Sequence, residues 1–144
     1  MAAITPVPFS PFLVLRNVTA QASTGQTDWI SVPQWVGSII VTFNLTANAG
    51  TTPISTVSLL APDPVARDDT AAVALFTGAS ITAASFHHYA LGPSFTTAGT
   101  DSATASASVV QNGPIPTTIG VRVTNDRTTG DETYTYALAI TFRG

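Results

Sequence analysis

The sequence predicts an all-β protein, an antiparallel β-sandwich or jelly roll of about eight or nine short strands behind an extended N-terminal arm. Three observations carry that expectation. Apolar residues recur at alternate positions, most plainly in the closing stretch ETYTYALAITFRG, where Tyr134, Tyr136, Leu138, Ile140 and Phe142 fall on one side of an extended strand and Thr133, Thr135, Ala137, Ala139 and Thr141 on the other. Groups of Gly, Pro, Asn and Asp interrupt the chain about every 8 to 15 residues. No amphipathic crossover helix lies between the candidate strands, which argues against a parallel α/β sheet.

Residues 1–12, MAAITPVPFSPF, form the arm. Pro6, Pro8 and Pro11 interleave with Val7, Phe9 and Phe12, and such a segment follows an extended path that lacks a full ladder of backbone donors. A merely frayed tail would leave Val7, Phe9 and Phe12 as unused apolar surface, so Pro6, Val7, Pro8, Phe9 and Phe12 are candidates for docking on a neighbouring subunit. Residues 13–144 then read as a single domain. FLVLRNVT (residues 12–19) opens the β-rich run, and DWISV (residues 28–32) precedes the Pro33 break. SIIVTFNLTA (residues 38–47) alternates well before the turn NAGTTP. Further strands are expected over 54–60, 72–76, 84–91, 103–110, 117–125 and the C-terminal stretch. DDTAAVALF is the one place where a helix is an alternative, with Asp68 or Asp69 as its cap. The last two strands, joined by the polar loop NDRTTGDE, are expected to pair as a hairpin with a loop longer than two residues.

At 144 residues the chain suits one domain that buries roughly two-thirds of its unfolded surface. Charged residues make up only 9% of it and lysine is absent, against about 25% charged in an average domain. Five dispersed arginines within a net charge of −3 provide no basic stripe, which argues against nucleic acid as a partner. No apolar run is long enough for a membrane-spanning helix, and the N-terminus lacks the basic and apolar regions of a secretory signal. Cysteine is absent, so neither disulfides nor thiolate-bound metal contribute.

Chemistry is thinly provided for. His87 and His88 are adjacent on a strand and point to opposite faces, so the pair does not chelate one metal; one ring is expected in or near the core and the other at the surface. Asp63, Asp68 and Asp69 form an acidic cluster whose spacing matches no calcium loop, and a solvated loop held by Arg67 is the simpler reading. Glu132 is the single glutamate, and no serine lies in a nucleophile-elbow context. No enzymatic activity, cofactor or metal is therefore expected. Trp29, inside a strand, reads as a plug of the core, and Trp35, in the loop PQWVG, equally as a plug or an anchor for a partner.

The segments TDWISVPQWVGSIIVTFNLTANAGTTP and GVRVTNDRTTGDETYTYALAITFRG resemble small all-β virion proteins of tailed bacteriophages, particularly capsid decoration (cement) proteins. They share a D-W-x-x-V strand, a V-T-x-N-x-T-A strand running into G-T-x-P, and a final aromatic alternating strand. The resemblance does not extend over residues 59–114. It implies a sandwich or jelly-roll subunit, a homo-trimer made in the host cytoplasm and seated on the outside of the virion, where it binds the major capsid protein and reinforces the shell without an enzymatic step.

Uncharged strand faces fit that role independently. Immobilising Ala costs almost no side-chain entropy, against up to about 2 kcal/mol for Lys, so a face bearing Thr133, Thr135 and Thr141 can approach another protein closely. Together with the arm and Trp35, these threonines are the expected contact residues. Two rivals follow from the same features. An outer-membrane barrel would need outward aromatic girdles, whereas the aromatics here share the large-residue face of the last strand. A phage tail or surface module that binds carbohydrate or a receptor would use exposed aromatics, for which Trp35 and Tyr89 are the candidates.

Overall fold

The computed structural model describes residues 12–22, 25–63, 65, 71–93, 107–126 and 130–144. Among them are nine strands and no helix: β1 (Phe12–Ala22), β2 (Gly25–Ser31), β3 (Ser38–Ala49), β4 (Ser55–Ala61), β5 (Val73–Thr77), β6 (Ser85–Gly92), β7 (Ala107–Asn112), β8 (Thr118–Asn125) and β9 (Thr133–Arg143). All nine expected strands are present, with ends displaced by a few residues; the part of the seventh expected over 103–106 lies outside the described residues. The alternative helix at DDTAAVALF is resolved in favour of a strand over Val73–Thr77, while Asp68 and Asp69 lie outside the described residues.

The strands form a five-stranded sheet ordered β1-β9-β3-β6-β7 and a four-stranded sheet ordered β2-β8-β4-β5. Leaving β7 aside, the antiparallel pairs nest: β1 with β9, β2 with β8, β3 with β6 and β4 with β5. The chain behaves as one long ribbon folded at the β4–β5 connection, with successive pairs assigned to alternate sheets. β7 is an addition to this plan and pairs parallel to β6.

Periodicity explains why the ribbon closes on itself. In β3 the side chains of Ile39, Val41, Phe43 and Leu45 are fully buried, whereas Ile40, Thr42 and Asn44 between them are half-buried. Ile119, Val121 and Val123 of β8 and Tyr134, Tyr136, Leu138 and Ile140 of β9 repeat the pattern, and both sheets contribute to one apolar cluster. The Phe43 and Tyr136 rings lie 5.1 Å apart, and Phe76 of β5 meets Tyr89 of β6 at 5.3 Å, joining one sheet to the other. Burial of such rings dominates core energetics.

Two polar devices fix the ends. Arg16 on edge strand β1 is turned inward, where its Nε donates to Asp28 Oδ2 on β2 at 2.6 Å, one Nη to Tyr136 Oη at 2.8 Å and the other to the Gln26 carbonyl at 2.9 Å. It therefore laces the two sheets along one side. At the far end, Tyr134 Oη donates to the Asp126 carbonyl and accepts from Ile54 N at 3.1 Å. Buried Glu132 accepts from Gly130 N at 2.9 Å and from Thr52 Oγ1 at 3.3 Å. Gly50, with φ +112°, completes this junction, since a Cβ there would stand 2.7 Å from Glu132 Cα.

Two expectations are corrected. β8 and β9 are not a hairpin. β8 is hydrogen-bonded to β2 and β4, β9 to β1 and β3, and residues 126–132 bridge two sheets. Their alternating apolar residues meet across the core instead of side by side, an arrangement with the same sequence pattern as a hairpin. Trp29 does not plug the core. Its register partner is Gly120, whose neighbours Ile119 and Val121 point inward, and a Cβ on Gly120 would come within 2.6 Å of the indole. The ring thus lies over Gly120 on the outer face of the four-stranded sheet.

Candidate interaction surface

Residues directly paired across a sheet point to the same side, so the register fixes the outward side chains of the five-stranded sheet. One row across it reads Phe12, Thr141, Ile40, Ala90 and Val110. The next contains Val14, Ala139, Thr42 and His88, and a third Asn17, Ala137, Asn44 and Phe86. Thr135 with Ala47, and Ala22 with Thr133 and Ala49, extend it towards the far end. None of these side chains is acidic, lysine or arginine, and His88 is the one titratable group among them. Arg143 stands at the rim, two residues beyond Thr141.

The face is preorganised by small contacts. Thr46 Oγ1 donates to the Thr135 carbonyl at 3.1 Å, and Thr135 Oγ1 accepts from Ala20 N at 3.0 Å. Ala20 is a β1 bulge residue with φ +48°, held in a conformation that few non-glycine residues adopt. Thr42 Oγ1 lies 3.4 Å from His88 Nδ1, and the His88 ring meets Phe86 edge-on at 4.6 Å. His87 takes the opposite side, fully buried, with Nε2 2.7 Å from Ser85 Oγ and its ring stacked on Tyr89. Among the described residues no three His, Cys, Asp or Glu side chains come together as a metal site, and no helix is long and apolar enough to cross a membrane.

The edge of this face is its most apolar part. Phe12, Leu13 and Val14 are 63%, 46% and 54% exposed, in a strand whose other side pairs with β9. An exposed, uncharged edge presents open backbone groups to another chain. The neighbouring edge strand β2 is treated differently, because Arg16 occupies the Gln26 carbonyl.

Of the residues expected at an interface, Thr133, Thr135 and Thr141 lie on this outer face and Phe12 is the register partner of Thr141. Thr135 has its hydroxyl engaged within the fold. Trp35 is 44% exposed in the β2–β3 loop, with its ring 3.7 Å from the position a Gly144 Cβ would occupy. That places it at the same end of the molecule as Phe12 and Thr141, because Gly37 N donates to the Arg143 carbonyl at 2.7 Å. Pro6, Val7, Pro8 and Phe9 lie outside the described residues, as do Arg67, Asp68 and Asp69 of the acidic cluster. Asp63 is buried and accepts from Val65 N at 2.6 Å, capping its own turn. Tyr89, a candidate for a recognition loop, is buried in the core and so is not available to a ligand. Leu13, Val14 and Phe86 were not singled out by the sequence; that β1 is an edge strand follows from the sheet order, not from periodicity.

The pair of sheets, the shared core and the uncharged outer face define an all-β protein with a surface suited to contact. No family model matches the chain, and no curated protein or solved structure matches it either.

Proposed function

We propose that the protein is a structural virion component, a decoration (cement) protein that binds the outside of a tailed-phage capsid as a homo-trimer and stabilises the shell. The nesting of the strand pairs supports reading the two sheets as a jelly roll, an architecture common to viral capsid and lectin domains. One observation carries the reading: an uncharged outer sheet face runs without interruption into an edge strand that begins with three exposed apolar residues. Such a surface binds by shape and apolar contact, with little side-chain entropy lost. Repeated over a lattice, modest contacts add as avidity. In this reading the task involves no bond making or breaking, and the partner is the major capsid protein.

Mixing the purified protein with undecorated heads tests the proposal. Saturable co-sedimentation at a fixed number of copies per capsomer supports it. Binding of the isolated chain to a glycan array, with no affinity for heads, would replace it with the carbohydrate or receptor-binding reading, in which exposed Trp35 and Phe86 are the aromatic contacts.

A further inference from the structure

On the outer face of the four-stranded sheet, Trp29 lies opposite Gly120. A Cβ on Gly120 would stand 2.6 Å from Cζ3 of the indole, 2.8 Å from Cη2 and 2.9 Å from Cε3. These are three bonded ring atoms with Cζ3 in the middle, and their near-equal distances mean that the Cβ would meet the face of the ring; an edge-on approach would leave the outer two much farther off. The indole therefore lies flat on the sheet, one face against the glycine backbone and the other turned outward. Half-burial of Trp29 agrees with this. Glycine inside a strand weakens it and often marks a close approach; at position 120 it makes room for the flat ring. Leu60, the next residue in the same row, is buried, so the row is apolar. The rows two residues away, about 7 Å to either side, bring hydroxyls. Thr27 and Ser58 flank Arg122 on one side, and Ser31 pairs with Thr118 on the other. Arg122 Nε donates to Thr27 Oγ1 at 2.8 Å, which ties the guanidinium to the neighbouring strand. Among the described residues of these rows none is acidic.

We propose that this strip binds the pyranose rings of a neutral oligosaccharide, one of them stacked on the outward face of Trp29 with its hydroxyls hydrogen-bonded to Arg122, Ser58 and Thr118. A pyranose is the complement of such a surface. Its axial C–H bonds, polarised positive at hydrogen, lie on the negative face of an aromatic ring, while its equatorial hydroxyls project sideways towards the donors and acceptors of the flanking rows. An apolar ring with a few placed polar groups around it is the usual composition of a small-ligand site. Other partners fit less well. A protein interface needs a broader apolar centre than one indole, and nucleic acid needs several cations where these rows carry one. The inference goes beyond the structural role proposed above. It uses the outer face of the other sheet, so that shell and saccharide can be held together.

The test titrates the full chain with cello-, xylo-, galacto- and chito-oligosaccharides, followed by calorimetry and by indole fluorescence. The expected result is saturable binding of at least one of them with a change in tryptophan emission. Trp29→Ala should weaken that binding about ten-fold or more, whereas Trp35→Ala should leave it unchanged. Gly120→Ala is the sharper variant, because it keeps the indole but lifts it off the sheet; it should weaken binding several-fold in a chain that still unfolds cooperatively. No binding of any of these saccharides at millimolar concentration would overturn the inference. So would parent-like binding by folded Trp29→Ala or Gly120→Ala, or a loss that follows Trp35→Ala instead. A chain that binds heads but no saccharide sinks this inference alone; one that binds saccharide through Trp29 and ignores heads sinks only the capsid reading.

Discussion

Arg16 illustrates how one side chain holds two layers together. Its guanidinium sits among Asp28, Tyr136 and the Gln26 carbonyl, with its side chain 7% exposed and that of Asp28 24% exposed. Removing one partner of a buried ion pair strands the other, at about 3–5 kcal/mol when both are fully buried. Partial exposure of Asp28 lowers the expectation for Arg16→Ala to about 2–3 kcal/mol, measured by urea unfolding. Gly50→Ala should cost a similar amount, because φ +112° and the backbone of Glu132 leave the methyl group no relaxed position. Gly120→Ala should cost less, since the Trp29 ring it meets can swing aside. Tyr134 and Tyr136 both titrate above the usual phenol value of 10.0, burial being the largest cause in each. The native state therefore keeps protons that the unfolded chain releases, so their contribution to stability is complete below pH about 10 and is lost as pH rises beyond it. Chemical denaturation between pH 9 and 11 should show this decline, and Tyr136→Phe should flatten it. None of these roles was legible in the sequence: an arginine in a strand carries no mark of the acid opposite it, and Gly120 gains its meaning only from β2 lying alongside.

At the scale of the strand, much was legible. Alternation in β3, β8 and β9 located each strand and named its buried face, because a period of two follows from the backbone itself. Lateral partners were not. The residues of β8 and β9 face one core from opposite sheets, and nothing in Ile119-x-Val121-x-Val123 or Tyr134-x-Tyr136 distinguishes that from a hairpin. The same blindness hid the edge. β1 is uncharged apart from Arg16, which the ion pair withdraws, so Phe12, Leu13 and Val14 have no gatekeeper. A charge there should act on association alone. Val14→Lys is expected to leave the melting temperature within about 2 °C of the parent, as surface substitutions usually do, while reducing the oligomer fraction in sedimentation velocity. A large loss of stability with association intact would show that this edge serves the fold instead of a partner.

At the scale of the whole molecule, the outer face of the five-stranded sheet is the surface offered to partners in the proposed role. Its character is partly legible in the sequence: alternation in the final strand alone puts Thr133, Thr135 and Thr141 on one face, and the sheet order adds Thr42, Asn44, Ala90 and Val14 to it. Trp35 and Phe12 fall at the same end only because the chain's last residues return beside the β2–β3 loop. A face without charges should hold its partners through apolar contact, so raising salt from 0.1 to 0.5 M, which shortens the screening length from about 10 Å to less than half of that, should not release the protein from heads. The most direct measurement is the sedimentation equilibrium mass of the protein carrying Ala137→Lys, a charge set in the middle of that face, compared with the parent. The expected result is a parent trimer and a correctly folded variant that stays a single chain of 14.8 kDa. A variant that assembles as readily as the parent, or a parent that is itself monomeric at every concentration, would contradict it.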